Sequence, residues 1–313
     1  MNPALIGLGA LAAPRVLGPL LRRKRSIADK VVLITGASRG LGAELAEAIS
    51  KEGVKLCIVA RNQSDLDKVA DACRKAGAKE VLPLACDVSD LKALERMVAT
   101  CKGRLGPVQI LINNAGIETA NRAEVPDAAS IAQLNAVNVT APMALVNMVL
   151  ADMKAAKYGV ILTVSSGLAG MYMPYLAAYA ASKAAINNYS AGLACELRGT
   201  GVSACCVMPG LITGLKDGGM GQALFGSGAV NKFTINPMLA LFRCQAKGVI
   251  RTIISHVKMG APYPVVNAMR MPVSIVSTNF TLFPIAITNL MWALNPLKKD
   301  TMAVLDVRGA KKP

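Results

Sequence analysis

The 313-residue sequence predicts an α/β fold, a doubly wound parallel sheet, on three observations. From Lys30 to about Val207, short β-branched runs alternate with helical stretches. These runs are apolar at successive positions, as strands covered on both faces must be. A glycine-rich turn follows the first run and opens a helix, which is the start of a strand–turn–helix–strand unit.

The elements follow in order. Val31–Thr35 (VVLIT) is the first strand, and a helix spans 40–52 behind the turn TGASRGLG at 35–42. Lys55–Ala60 (KLCIVA) is the second, followed by a helix over 65–76. Glu80–Ala85 and a helix over 90–103 come next, then Val108–Ile112 and one long helix over 130–157. Val160–Val164, a helix over 177–198 and Val202–Val207 complete the series. No internal repeat or linker divides it.

Composition narrows the function. With 53% hydrophobic residues and a mean hydropathy of +0.42, the chain is neither disordered nor low in complexity. The net charge of +16 is unevenly spread: residues 1–28 carry +5, residues 29–196 carry +1 and residues 197–313 carry +10. Aromatics make up only 4%, and no nucleic-acid reader motif is present, so an anionic membrane surface suits the basic ends better than nucleic acid. His256 is the single histidine, so a histidine zinc site or a Ser-His-Asp triad would rest on that one residue, and a structural role suits it better. The eight cysteines form no C-x-x-C pair and read as small buried hydrophobes in a reducing compartment.

The chain divides into residues 1–28, an apolar and basic anchor or targeting segment; 29–260, the catalytic domain; and 261–313, an apolar, basic extension. Residues 1–21 are apolar but broken by Pro3, Pro14, Arg15 and Pro19, and Arg22–Arg25 are basic throughout. A secretory signal has the reverse order. A signal-anchor with its basic side in the cytosol, an interfacial helix and an organellar presequence all fit. The glycine-rich stretch 214–228 suits a mobile loop beside a substrate site. Residues 262–296 hold one charge, Arg270, and are long enough to span a bilayer, but suit a segment dipping into one leaflet or buried in a partner better than a full span.

Three motifs carry chemistry. In the turn, Gly36, Gly40 and Gly42 let the backbone bend tightly and a pyrophosphate reach the helix N-terminus. The second strand ends in Ala60-Arg61-Asn62, with no acid until Asp65. An NAD site usually carries an acid there for the ribose hydroxyl; Arg61 and Arg39 instead suit a 2′-phosphate, and so NADP(H). In YAASK at 179–183, Tyr179 and Lys183 lie one helical turn apart, so the ammonium can lower the phenol's pKa toward that of a usable general acid. Ser165 and Ser166 sit at the carboxyl end of the fifth strand, where either can hydrogen-bond a substrate carbonyl.

Taken together, these motifs resemble the short-chain dehydrogenase/reductase family. The match includes TGASRGLG, CDVS at 86–89, NNAG at 113–116, Asn138 in NAVNVT, Ser166, Tyr179, Lys183 and PGLIT at 209–213, in the family's order over residues 30–213. The family's spacing of serine to tyrosine selects Ser166 over Ser165. The resemblance implies a Rossmann sheet of about seven strands, with Tyr179 as proton donor, Lys183 tuning it and holding the nicotinamide ribose, and Ser166 orienting the carbonyl. Asn138 would hold a relay water. Gly36, Ser38, Arg39, Gly40, Leu41, Gly42 and Arg61 would line the phosphates, Asp87 and Val88 the adenine, and Asn114, Ala115 and Gly116 the cofactor's inner side. Pro209, Gly210 and Thr213 would meet the nicotinamide, and no metal is implied.

The family's glycine-rich seventh strand and V-D-G-G-like finish have no match in the sequence. The long extension instead resembles membrane-associated members that reduce lipid carbonyls. The expected activity is NADPH-dependent reduction of a 3-oxoacyl, 3-ketosphingoid, retinoid or steroid carbonyl at the cytosolic face of the endoplasmic reticulum, or at a mitochondrial or plastid membrane. A homodimer or a membrane-complex partner is compatible. The competing expectation is an accessory subunit of a membrane complex that keeps the fold without the reaction.

Overall fold

The computed structural model describes residues 24–118, 128–170, 176–217 and 243–261, together with the backbone of 265–267. The apolar leader 1–21, most of the glycine-rich stretch 214–228 and nearly all of the apolar run 262–296 lie outside the described residues.

Strands β1 (Val31–Thr35), β2 (Lys55–Ala60), β3 (Glu80–Ala85), β4 (Ile110–Asn113), β5 (Gly159–Val164) and β6 (Val202–Met208) form one parallel sheet in the order β3-β2-β1-β4-β5-β6. Its strand order reverses between β1 and β4, so a crevice opens at their carboxyl ends. Two short strands, β7 (Leu211–Thr213) and β8 (Arg243–Gln245), pair apart from the sheet.

A seventh strand, β9 (Val265–Asn267), adds parallel to β6 through Cys206–Met208. The family resemblance implied about seven strands, but no sequence pattern located this one. Its three residues carry none of the glycine-rich pattern and are hidden at the start of a longer apolar run.

Helices α1 (Gly40–Ser50), α2 (Gln63–Ala76) and α7 (Ala246–Met259) cover one face; α3 (Leu91–Leu105), α5 (Ala141–Ala155) and α6 (Ala177–Glu196) cover the other. Strand β1 shows why both faces must be apolar. Val32 and Ile34 pack with Leu45, Ile49 and Val249, while Val31 and Leu33 pack with Leu94, Val98 and Leu145. Burying each such side chain contributes roughly 1.5–3 kcal/mol. Local caps fix the helix starts: the Asn62 side chain accepts from the Asp65 N–H, and Asp90 accepts from those of Lys92 and Ala93.

The long helix expected over 130–157 is two helices, α4 (Ala128–Asn135) and α5, joined by a π-helical turn at Ala136–Thr140. Together they are long and apolar enough to cross a bilayer, yet Leu145, Val146, Val149 and Met153 are buried on the sheet. All eight cysteines are free thiols, and only Cys195 is exposed.

Candidate active site

The glycine turn is built around contacts with the end of β4. Gly36 and Gly40 adopt positive φ, +67° and +59°, where a side chain would be strained. Gly42 is needed for close packing: a Cβ there would lie 2.2 Å from the Gly36 carbonyl oxygen and 2.5 Å from Asn114 Nδ2. Asn114 donates that amide to the carbonyls of Thr35 (2.9 Å) and Gly36 (3.1 Å). The Thr35 hydroxyl accepts from the N–H groups of Asn114 and Ala115, both at 3.1 Å. The two motifs therefore hold each other open at the crevice.

Several observations fit an anionic dinucleotide in that crevice. The Asp217 carboxylate accepts from the Gly40 N–H at 2.6 Å, so an anion already sits on the N-terminus of α1. No sequence signal marked Asp217. Lys216 holds the segment in place, its N–H on Glu44 at 2.7 Å and its ammonium on Glu47 at 2.9 Å. Arg39 and Arg61 are exposed, and among the described residues neither guanidinium makes a hydrogen bond. Asp87 is held below the usual carboxylate range by the Ser89 N–H and hydroxyl, with a smaller pull from Arg61.

Buried Asn113 has no partner for either side-chain polar atom and lines a narrow cleft with Thr35, Val88 and Ala115. An orphaned amide beside the crevice fits a polar ligand. Leu41 is buried in the core under the turn, and Ser38 is half-buried in it. The Pro209 carbonyl accepts from Gly167 N–H at 2.7 Å, Gly210 meets the Cys244 thiol, and the Thr213 hydroxyl reaches only a long 3.4 Å contact with the Cys244 carbonyl. Pro209 thus lies against the 3₁₀ turn Gly167–Gly170 that follows Ser166.

The candidate catalytic groups converge next to this crevice. Tyr179 and Lys183 are buried on the first two turns of α6, with the Lys183 ammonium 5.7 Å from the Tyr179 ring centre. Ser166 hydrogen-bonds Tyr179, whereas Ser165 donates to the Lys183 backbone carbonyl at 3.1 Å. The Lys183 ammonium donates to the Val164 carbonyl at 3.2 Å.

Asn138 lies in the π turn, which aims its amide at two places. The amide donates to the Ile117 carbonyl (2.9 Å) and the Ser182 hydroxyl (3.0 Å), and its oxygen accepts from the Ile117 N–H (2.9 Å). Both amide hydrogens are thus spent on protein, and only its oxygen retains capacity toward a water. A Cβ on Gly116 would come within 3.2 Å of Lys183 Nζ and 3.4 Å of that oxygen, so glycine keeps the space between them open.

The electrostatics differ from the expectation that the lysine lowers the tyrosine's pKa. Burial raises the Tyr179 hydroxyl well above its ordinary value; Glu118 adds to the rise and the Ser166 hydrogen bond opposes it. Burial brings Lys183 down to about 8, while Cys206 and Glu118 pull the other way. Glu118 itself is pushed up to about 7 by burial, against the pull of Lys183. No sequence signal marked Glu118, one acid directly after NNAG-Ile and outside every motif.

The family model for short chain dehydrogenase matches residues 30–217, well over half of the chain. The chain belongs to the short-chain dehydrogenase family. It is accordingly an oxidoreductase of alcohol and carbonyl groups that binds a nicotinamide cofactor. Among similar proteins, a short chain dehydrogenase of Pseudocercospora fijiensis is 33% identical over 72% of this chain and 71% of its own length. A ketoacyl reductase of Nostoc is 34% identical over 60% of this chain and 65% of its own. Rat estradiol 17-beta-dehydrogenase 11 is 34% identical over 61% and 65%, so the chain spans slightly less than two thirds of these last two relatives. A metagenomic short-chain oxidoreductase solved with NADP superposes with a TM-score of 0.63 at 27% identity, over 77% of this chain and 97% of that one. NAD+-bound xylitol dehydrogenase superposes with a TM-score of 0.70 at 22% identity, over 79% of this chain and 100% of that one, which shows the shared fold.

Proposed function

We propose that this short-chain dehydrogenase is a membrane-associated reductase that uses NADPH to reduce an apolar, lipid-like carbonyl. The observation that carries the reading is the buried set Ser166, Tyr179 and Lys183 beside a crevice suited to a dinucleotide. Bound NADPH supplies the hydride to the carbonyl carbon. Ser166 orients the carbonyl oxygen, and Tyr179 gives it the proton. The Lys183 ammonium stands by to stabilise the phenolate that remains and to hold the ribose. A water accepted at the free lone pair of the Asn138 oxygen would be the route by which the proton is replaced.

NADPH is favoured over NADH because the Arg39 and Arg61 guanidinium groups make no hydrogen bond among the described residues and stand at the positions where a 2′-phosphate would lie. The Asp217 carboxylate must leave the Gly40 N–H for a pyrophosphate to bind there. An apolar substrate is supported by the apolar, basic ends and by two relatives named for ketoacyl and estradiol chemistry. The reading places the protein at the endoplasmic reticulum with its catalytic domain in the cytosol, or else at a mitochondrial or plastid membrane. A homodimer or a membrane-complex partner is compatible with it.

The test is a panel of 3-oxoacyl, 3-ketosphingoid, retinoid and steroid carbonyls in detergent micelles, assayed with NADPH and with NADH. Oxidation of NADPH matched by alcohol from one class, and slower with NADH, is the expected result. No turnover across the panel, or a preference for NADH, would contradict it.

A further inference from the structure

We propose that the outer face of α7 is the membrane-docking surface, laid along a layer of anionic lipid headgroups. This rests on the membrane-associated reading and adds which side of the molecule meets the lipid.

Helix α7 runs the height of the sheet. It begins directly after β8, which pairs with β7 just past Pro209 and Gly210 at the carboxyl, reacting edge. It ends at the amino edge, where the Lys258 carbonyl accepts from the Arg25 N–H at 2.8 Å, six residues before β1 begins. Its 14 residues cover about 21 Å, close to the roughly 20 Å that the six- and seven-residue strands β5 and β6 span. The apolar sequence 1–21 therefore joins the molecule at the amino edge, whereas the apolar run from 262 passes through β9, parallel to Cys206–Met208 of β6, and leaves it at the carboxyl edge. A membrane touching only the amino edge would leave the pocket on its far side. A membrane along α7 meets both the attachment points and the rim of the site.

The chemistry of the helix agrees. Val249, Ile250, Ile253 and Val257 are buried inward, whereas Lys247 and Arg251 are exposed on the other side, in line with Lys258. The helix carries no acid. Nearby acids are engaged: Glu44 and Glu47 by Lys216, and Glu52 by Lys258 at 2.8 Å. Among the described residues nothing hydrogen-bonds the side chains of Lys247 or Arg251. A second copy meeting this face symmetrically would set like charges together, which favours lipid over self-association.

The test is co-sedimentation of the full-length protein with phosphatidylcholine vesicles, with and without phosphatidylserine. The double variant Lys247→Glu/Arg251→Glu should lose on the order of 10- to 100-fold in binding to the anionic vesicles, at about 1 kcal/mol per basic residue near the surface. Lys92→Glu/Arg96→Glu, on α3 at the opposite face of the sheet, should bind as the wild type does. Both variants should reduce a water-soluble ketone at the wild-type rate, since neither touches the site. If the wild type itself fails to bind vesicles, the membrane reading falls and the docking face with it. If the wild type binds and the α7 variant binds equally well, or loses no more than the α3 variant, the docking face alone is wrong. Conversion of a wild-type dimer to a monomer by the α7 variant would make this face a subunit interface and overturn the proposal.

Discussion

Tyr179 is buried among groups that resist its ionisation, and in the proposed reaction it keeps its proton until a carbonyl oxygen gaining negative charge takes it. Tyr179→Phe removes only that hydroxyl. It should cut reduction on the order of 10²–10⁴ while cofactor binding, followed by fluorescence, stays intact. Glu118 offers a separate test. Its carboxyl is pushed up to about 7 from an ordinary value near 4.5, so between those values the folded state binds more protons than the unfolded one. Its contribution to stability is therefore lost as pH rises from about 4.5 to 7. Glu118→Gln should show a melting temperature that falls less over that range, and an unchanged slope would remove Glu118 from the account. Asp217→Asn should tighten NADPH binding several-fold, because the Gly40 N–H loses its charged competitor. Arg39→Ala/Arg61→Ala should weaken NADPH binding and spare NADH; a charged hydrogen bond is worth roughly 1.5–3 kcal/mol, less at such exposed positions. The residues with motif spacing were legible in the sequence. Glu118 and Asp217 were not, because each acts through a tertiary approach that no local pattern records.

At the scale of elements, strands β1, β2 and β3 have the bounds that β-branching and flanking turns suggest, because strands apolar on both faces leave little choice of register. The π turn at Ala136–Thr140 was invisible. One extra residue in a helical turn changes no hydrophobic periodicity, yet it aims Asn138 at Ile117 and Ser182. Helix α7 was also not read out, since it follows the glycine-rich segment where alternation fades. Glycines give a paired prediction. Gly42→Ala puts a methyl into the Gly36 carbonyl and should cost about 1–3 kcal/mol, seen as a lower melting temperature. Gly103→Ala and Gly192→Ala meet nothing within 4 Å on exposed helix surface and should stabilise by roughly 0.5–1 kcal/mol.

Across the whole molecule, the proposed attachment rests on two basic, apolar ends and the proposed chemistry on the near-neutral middle between them. The full-length protein should resist high-salt extraction from membranes, and a protein lacking residues 1–28 should remain partly bound through 262–296. Full-length protein in the soluble fraction at low salt would contradict membrane attachment. Attachment locates the enzyme, but the reaction is the central claim. Its most direct test follows deuterium from NADPH labelled at the nicotinamide C4 into the alcohol product, comparing wild type with Tyr179→Phe. One deuterium on the former carbonyl carbon per NADPH oxidised by the wild type, and almost none from a variant that still binds NADPH, is the predicted result. Equal deuterium transfer by both proteins, or none by the wild type to any carbonyl of the panel, would contradict it.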